Sequence, residues 1–196
     1  MALCLRVELQ GKPCVVFGGG AEGFRRTLQL IEEGANVTVY SREFSSQWEP
    51  YASLCRKEAF CPSQLQGAFF AAAATNDPEV NEQIVDHCVK NGILVVSSTP
   101  SQSPFHPMAN RPWTGGVVAV SIPQAPALSG MVSQDLAQQA ENQYTQAVSQ
   151  MAKLRSLAYQ QLSSQQAAAL LRKAVAMSCT KRQQLIETME QERKLP

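Results

Sequence analysis

The sequence predicts an α/β domain followed by an all-helical region, and three observations lead to this division. Short apolar runs alternate with helical patterns over the first two thirds of the chain. No glycine follows Gly130, and no proline occurs between Pro126 and Pro196. The tail is also rich in Ala, Gln and Leu, which are compatible with helix. We place the boundary between residues 1–115 and 116–196, and the second region begins with a linking strand before its helices.

Five apolar runs are predicted as strands, at residues 14–17, 36–40, 68–74, 93–96 and 117–120. A helix after the first run carries Phe24, Leu28 and Ile31 at helical spacing and ends at Gly34. A second helix is predicted over residues 79–90. Because apolar residues fill these runs almost without interruption, we expect a parallel sheet covered on both faces.

The tail is predicted to contain several helices. One apolar stripe follows from the helical spacing of Tyr144, Val148, Met151, Leu154 and Ala158. The pair Ser163 and Gln166 has the spacing of a capping box and predicts the start of the next helix. The segment from Thr180 to Gln183 repeats that pattern and predicts the start of a last helix.

Charge and length restrict the class of protein. The 196 residues carry 17 basic and 16 acidic side chains, for a net charge of +1. This balance argues against a nucleic-acid coat or a membrane-surface protein. No apolar run approaches the length of a membrane-spanning helix, and residues 1–8 lack the pattern of a secretory signal. We therefore expect a cytoplasmic protein without nucleic-acid or membrane partners.

Cysteine and histidine spacing does not predict a metal site. Six cysteines occur, at positions 4, 14, 55, 61, 88 and 179, and no two form a C-x-x-C pair. The only histidines are His87 and His106. A structural zinc site needs more closely spaced ligands, and a disulfide framework needs an exported chain. We expect scattered, reduced thiols.

The most informative motif is a glycine turn between the first strand and its helix. Gly18, Gly20 and Gly23 satisfy G-x-G-x-x-G in the strand–turn–helix context that dinucleotide binding requires. The first glycine permits the tight turn, the second lets a pyrophosphate approach, and the third lets the helix pack on the strand. Free N–H groups at the helix start bind the anion. The motif predicts a Rossmann-like, nucleotide-binding domain, with cofactor contacts at Gly18, Gly19, Gly20, Ala21, Glu22 and Gly23.

The end of the second strand bears on the choice of cofactor. An acidic residue at this position usually binds the adenosine ribose of NAD, but here the sequence reads Tyr40-Ser41-Arg42-Glu43. Ser41 and Arg42 suit a 2′-phosphate, as in NADP sites, and Glu43 can reach a ribose hydroxyl. These three residues are cofactor candidates, and the sequence leaves NAD and NADP both open.

Four segments together resemble the precorrin-2 dehydrogenase and sirohydrochlorin ferrochelatase family, which also forms the N-terminal region of siroheme synthase. The first is the glycine turn followed by Arg25-Arg26, and the second is residues 34–39. The third, Ala71-Ala72-Ala73-Ala74-Thr75-Asn76-Asp77 with Val80-Asn81 after it, is the most specific. The fourth combines residues 105–107 with 117–121 and 126–128. With the helical tail, the resemblance spans nearly the whole chain.

The resemblance implies an activity and a set of partners. Members of the family oxidise precorrin-2 to sirohydrochlorin with NAD, and some then insert ferrous iron. Their helical tail forms a homodimer interface and helps to build the tetrapyrrole cleft. Carried onto this sequence, the resemblance adds Thr75 and Asn76 as cofactor contacts. Substrate contacts are expected at Arg25, Arg26, Asn81 and Ser121, and cations there would suit an acidic tetrapyrrole.

Two segments depart from the family pattern. The family's aspartate, the favoured general base and a residue implicated in metal insertion, falls on Ser98, two residues before Pro100. A hydroxyl is a poor proton acceptor near neutral pH. Residues 121–126 also contain less Ser, Gly and Thr than the family places there.

These departures shape the predicted function. Hydride transfer depends mainly on positioning, and the proton can leave to water or to His106, so the catalytic candidates are Ser98 and His106. We predict an NAD-dependent precorrin-2 dehydrogenase with weak or no ferrochelatase activity and no resident metal. The alternatives are a non-catalytic tetrapyrrole carrier or subunit and, with only the glycine turn behind it, a nucleotide-sensing module.

Overall fold

The computed structural model describes residues 5–99, 103 and 105–193; Cys4, Pro100 and Pro104 of the segments discussed above lie outside them. The chain forms two compact units, Met1–Pro107 and Met108–Pro196. The division falls before the predicted boundary at residue 115, because the strand Ala109–Trp113 pairs with the strand Gly116–Val120.

The first unit contains a five-stranded parallel sheet. Its strands are β1 (Pro13–Phe17), β2 (Asn36–Ser41), β3 (Cys55–Lys57), β4 (Phe70–Ala73) and β5 (Leu94–Ser97). Helix α1 (Ala21–Glu32) follows β1, and α2 (Pro78–Lys90) follows β4. Two 3₁₀ segments, Ser46–Leu54 and Pro62–Leu65, flank β3. The strand order is β3-β2-β1-β4-β5, so the direction of winding reverses between β1 and β4. Ligands of such sheets bind at this switch point, beside the carboxyl ends of the strands.

Side chains alternate across the sheet and form a core on each face. From β1, Val15 and Phe17 pack with Ile84 of α2. Cys14 and Val16 point to the other face, into a cluster that includes Leu30 of α1 and Trp48. The predicted α/β fold, covered on both faces, is confirmed.

One predicted strand has a different partner. Four predicted strands become β1, β2, β4 and β5. The fifth, residues 117–120, does not join the parallel sheet; as β7 (Gly116–Val120) it pairs antiparallel with β6 (Ala109–Trp113). The fifth strand of the sheet is instead β3, a short edge strand of sequence Cys-Arg-Lys whose polarity gave no strand signal.

The second unit consists of the β6–β7 hairpin and three helices, α3 (Pro126–Gln161), α4 (Ser164–Val175) and α5 (Cys179–Glu192). Its core combines residues of all three helices, with Leu154, Ala167 and Ile186 nearly or fully buried. Among the described residues, no helix has the length and apolar character that crossing a membrane requires.

The helical predictions hold in part. Ser163 caps α4 as predicted, accepting a hydrogen bond from the N–H of Gln166. The start of α5 was predicted too late, since Ser178, not Thr180, is the capping residue. The apolar stripe is buried at Leu154 and Ala158, but Tyr144 is 55 % exposed. The stripe is buried where α4 and α5 pack against α3.

Candidate functional site

Three glycines of the turn have no room for a side chain. Gly18 has φ +126°, and a Cβ there would collide with the carbonyl of Ala74. A Cβ on Gly19 would meet the carbonyl of Glu43, and one on Gly23 would meet the carbonyl of Gly18. The turn therefore packs against the ends of β2 and β4 and against its own helix, as the motif predicts.

Gly20 differs from its neighbours because a Cβ built on it has no atom within 4 Å. It is the residue before α1, and no side chain caps this helix start. Among the described residues, no acceptor faces the N–H groups of Gly20, Ala21 and Glu22. Open space beside uncapped N–H groups is the cradle that a pyrophosphate needs, so these residues fit a dinucleotide.

The turn opens into a cleft of about 760 Å³ within the first unit. Its size lies in the range usual for cofactor pockets. Eight of the predicted cofactor residues line it: Gly18, Gly19, Gly20, Ser41, Arg42, Glu43, Thr75 and Asn76. The segment after β3, which includes Phe60, forms another wall. The parallel sheet thus brings together residues that lie more than fifty positions apart in the sequence.

The cleft is lined by the last residue of β2, Ser41, and by the two residues after it, Arg42 and Glu43. The hydroxyl of Ser41 donates a 2.7 Å hydrogen bond to the carbonyl of Glu43, so its proton is engaged within the loop. Arg42 and Glu43 are exposed at the cleft. Among the described residues, Arg42 has no carboxylate within ion-pair distance. Its guanidinium is available to an anionic ligand.

Sequence reasoning missed Trp48, which lies in the 3₁₀ segment between β2 and β3. Its indole Nε1 donates to the carbonyl of Gly19 at 2.7 Å, and the residue is 2 % exposed. Phe24 and Phe44 contact the ring edge to face. A tryptophan in a polar segment, Ser-Gln-Trp-Glu-Pro, is the one signal in the sequence that could have indicated a buried anchor.

Asn81, predicted as a substrate contact, lies in the protein interior and does not line the cleft. It is fully buried. Its Oδ1 accepts from the N–H of Thr75, and its Nδ2 donates to the carbonyl of Thr75. The Thr75 hydroxyl also donates to Oδ1, at 2.8 Å. The side chain therefore holds the loop after β4 and presents nothing to the cleft.

The two predicted arginines form ion pairs on α1. Arg25 donates to both carboxylate oxygens of Glu22, at 2.6 and 2.8 Å. Arg26 Nε donates to the same carboxylate at 3.0 Å. The hydrogen bond from Arg25 is the largest cause of the lowered pKa of Glu22. Together the side chains of Glu22, Arg25 and Arg26 carry one net positive charge, and both guanidinium groups already have a carboxylate partner.

The remaining predicted residues are spread along the chain. Ser98 is exposed just after β5, and its N–H donates to the carbonyl of Ala73. His106 is exposed in the same unit. Ser121 is exposed in the second unit. Among the described residues, no three His, Cys, Asp or Glu side chains group as metal ligands would.

The sheet order and the glycine turn define a dinucleotide-binding α/β protein. Residues 5–107 match the family model NAD_binding_7, whose description is "Putative NAD(P)-binding". The match covers more than half of the chain, and the chain belongs to this family.

Two curated proteins are similar to this chain. Precorrin-2 dehydrogenase of Priestia megaterium is 28% identical over 145 residues, which is 71% of this chain and 72% of that protein. Siroheme synthase 2 of Klebsiella pneumoniae is 34% identical over 104 residues, or 50% of this chain and 22% of that protein. The chain thus matches less than a quarter of the length of that siroheme synthase.

A solved structure extends the similarity to both units. The structure of "SirC, precorrin-2 dehydrogenase" superposes with a TM-score of 0.74 at 26% identity. The superposition covers 96% of this chain and 99% of that chain. The family resemblance predicted from the sequence motifs is confirmed.

Proposed function

We propose that this chain is an NAD-dependent dehydrogenase that oxidises precorrin-2 to sirohydrochlorin. The observation that carries the proposal is the similarity to a precorrin-2 dehydrogenase over 96% of the chain, joined to an intact dinucleotide cradle. The Priestia megaterium relative of the same name supports it. The activity belongs to the synthesis of siroheme or a related tetrapyrrole, in the cytoplasm.

The cleft residues divide the binding of the cofactor among them. The N–H groups of Gly20, Ala21 and Glu22 bind the pyrophosphate with the help of the α1 dipole. Ser41, Arg42 and Glu43 face the adenosine ribose. Thr75 and Asn76, at the carboxyl end of β4, contact the cofactor on the opposite side of the turn. When bound, the nicotinamide supplies hydride acceptance.

The proton released in the oxidation needs an acceptor other than an aspartate. Ser98 stands at the family's aspartate position, and its hydroxyl is a poor base. Because Ser98 is exposed, water reaches this point of the sheet edge. The proton leaves to water or to His106, since histidine is the side chain that most often serves as a general base. Ser98 is therefore not the proton acceptor in this proposal.

The serine at position 98, where the family has an aspartate, also affects the prediction for iron insertion. Ferrous iron is a substrate in that reaction and needs a base and oxygen or nitrogen ligands while the tetrapyrrole loses its protons. A serine in place of the aspartate removes a carboxylate from that step. We propose that ferrochelatase activity is weak or absent.

The second unit is proposed to form a homodimer and to contribute to tetrapyrrole binding. Helix α3 exposes large apolar side chains at Leu128, Met131, Leu136 and Tyr144. Such side chains on one helix suit burial against a second copy. Ser121 and the paired Arg25 and Arg26 remain substrate candidates; the arginines would exchange Glu22 for a substrate carboxylate.

Ser98 also favours a second candidate function, in which the chain binds a tetrapyrrole without converting it. Anaerobic incubation with precorrin-2 and either NAD or NADP separates the two, with NADH absorbance and the sirohydrochlorin spectrum as readouts. Turnover supports the dehydrogenase. Binding of the tetrapyrrole without turnover supports the carrier.

A pair of variants sharpens the comparison. Ser98→Asp restores the family's carboxylate and should raise the rate of oxidation or of iron insertion. Ser53→Asp adds the same charge at an exposed position outside the cleft and should leave both rates unchanged. A Ser98→Asp protein that still binds but does not turn over contradicts the dehydrogenase proposal.

A further inference from the structure

The carbonyl of Gly19 is fixed from the core side by Trp48. The Nε1–O distance is 2.7 Å, and the bond lies in the interior, since Trp48 is 2 % exposed. Phe24 and Phe44 contact the indole edge to face, with ring centroids 5.1 and 5.4 Å away. The donor is thus held in place by packing and not only by its hydrogen bond.

The opposite side of Gly19 is equally confined. A Cβ on this residue would lie 2.9 Å from the hydroxyl oxygen of Ser41 and would collide with the carbonyl of Glu43. The Gly19 backbone therefore sits between the aromatic cluster and the end of β2. Rotation of the Gly19–Gly20 peptide plane would break the hydrogen bond from Trp48.

The orientation of this peptide determines where the next N–H points. The described chain contains only trans peptides, in which the carbonyl and the following N–H point in opposite directions. Because the Gly19 carbonyl points inward to Trp48, the Gly20 N–H points outward. On that side Gly20 has open space, and the N–H has no acceptor among the described residues.

We infer that Trp48 is a positioning residue for the phosphates of the bound dinucleotide, acting through Gly19 on the Gly20 N–H. The hydrogen bond orients the donor before the ligand arrives and polarises the peptide, which strengthens that N–H as a donor. The inference rests on the dinucleotide site of the proposed function. It concerns phosphate binding only and not the reaction that follows.

The test compares a ligand with phosphates to one without them. Trp48→Phe keeps an aromatic ring and removes the N–H. We expect the Kd for ADP, measured by calorimetry, to rise about five- to ten-fold, the worth of one buried hydrogen bond. The Kd for adenosine, measured by NMR titration, should not change. Trp113→Phe, the same replacement in the β6–β7 hairpin, should change neither.

Two results would overturn the inference. An unchanged Kd for ADP shows that the hydrogen bond does not act on the phosphate site. Equal weakening of ADP and adenosine shows that Trp48 supports only the packing of the cleft. Both results concern binding of ADP, so they are distinct from a failure of precorrin-2 turnover, which would count against the proposed function alone.

A measurement on the unmodified protein covers the case in which Trp48→Phe does not fold. The chain has two tryptophans, so its ¹⁵N–¹H spectrum contains two indole signals. ADP should shift the Trp48 signal and slow its exchange with solvent, whereas adenosine should not. An indole signal of Trp48 that ADP leaves unchanged contradicts the inference.

Discussion

Asn81 binds the backbone of Thr75 from both sides. Its Oδ1 accepts from the Thr75 N–H at 3.0 Å, and its Nδ2 donates to the Thr75 carbonyl at 3.0 Å. The same Nδ2 lies 3.4 Å from the hydroxyl of Thr99, which in turn lies 3.1 Å from the hydroxyl of Ser97. The buried amide of Asn81 on α2 thus joins the carboxyl ends of β4 and β5. The predicted cofactor contacts Thr75 and Asn76 follow β4, and Ser98, the family's base position, follows β5.

Replacing Asn81 should therefore cost stability. Asn81→Leu has a similar size but leaves the N–H and carbonyl of Thr75 without partners in a buried site. We expect the free energy of unfolding, measured in urea, to fall by about 3 kcal/mol. Asn91→Leu is the matched control, because the Asn91 side chain is exposed and, among the described residues, donates only to the carbonyl of His87. Equal losses in the two variants would contradict this reading of Asn81.

Arg42 should decide how well the cleft accepts a 2′-phosphate. Its guanidinium lines the cleft, and no carboxylate pairs with it among the described residues. We expect Arg42→Ala to raise the Kd for NADP about ten-fold in dilute buffer while changing the Kd for NAD far less. Arg56→Ala, an exposed arginine outside the cleft, serves as control. A constant ratio of the two dissociation constants would remove Arg42 from cofactor choice.

The Glu22 carboxylate should make the folding stability of the protein depend on pH. The pKa of its carboxyl lies below the ordinary value of 4.5, chiefly because Arg25 donates a hydrogen bond to it. A group with a lowered pKa contributes stability that is present above its unfolded value and is lost as the pH falls through its folded value. Glu22→Gln should lower the unfolding temperature slightly at neutral pH, and the difference should vanish in acid below the folded pKa.

The control for this prediction is Glu32→Gln on the same helix. Glu32 is exposed and has no ion pair among the described residues. The effect of Glu22→Gln should be small, because the carboxylate is 35% exposed and solvent screens the pairs. A difference that grows as the pH falls would show the opposite sign and contradict the assignment.

The thiols should react in an order set by burial. Burial raises the pKa of Cys14 to about 11 and that of Cys88 to about 12, so neither forms thiolate near neutral pH. Cys61 is exposed, and a hydrogen bond with Ser63 lowers its pKa. In a Cys4→Ser background, we expect Cys61 to react first with a disulfide reagent under native conditions.

Two further replacements check this order. Cys61→Ser should remove the fastest phase of the reaction, and Cys88→Ser should leave it. All five cysteines that the structure describes are free, so each would report by itself. A fastest phase that survives Cys61→Ser would contradict the prediction.

Local signals were enough for the fold class and for six of the residues that line the cleft, at the glycine turn and at the end of β2. Gly18, Gly20 and Gly23 identify the turn because their spacing follows from backbone sterics that any such strand–turn–helix shares. The apolar run of β2 and the capping residue Ser163 are recognisable because they too are local patterns. Strand β3 was missed because its sequence, Cys-Arg-Lys, contains no apolar run, and its place in the sheet depends on pairing with β2.

The roles of Asn81 and Trp48 could not be predicted in this way. A polar side chain beside a glycine-rich site looks like a ligand contact until its burial is known. Asn81 satisfies all its contacts inside the protein, and Trp48 reaches Gly19 across 29 positions of sequence. No sequence pattern predicts either contact, because both depend on how the loops at the carboxyl ends of the strands pack together.

The parallel α/β class, the glycine turn, the helical tail and the family were predictable from the amino-acid sequence, since each follows from spacing along the chain. Which candidate residues share a cleft, which are buried and which already have partners became known from the three-dimensional fold. Arg42 has no carboxylate partner in the part of the chain that the structure describes, whereas Arg25 and Arg26 are joined to Glu22. The physical reason is that a side chain's chemistry depends on solvent access and on its neighbours, and both are set by packing between distant segments.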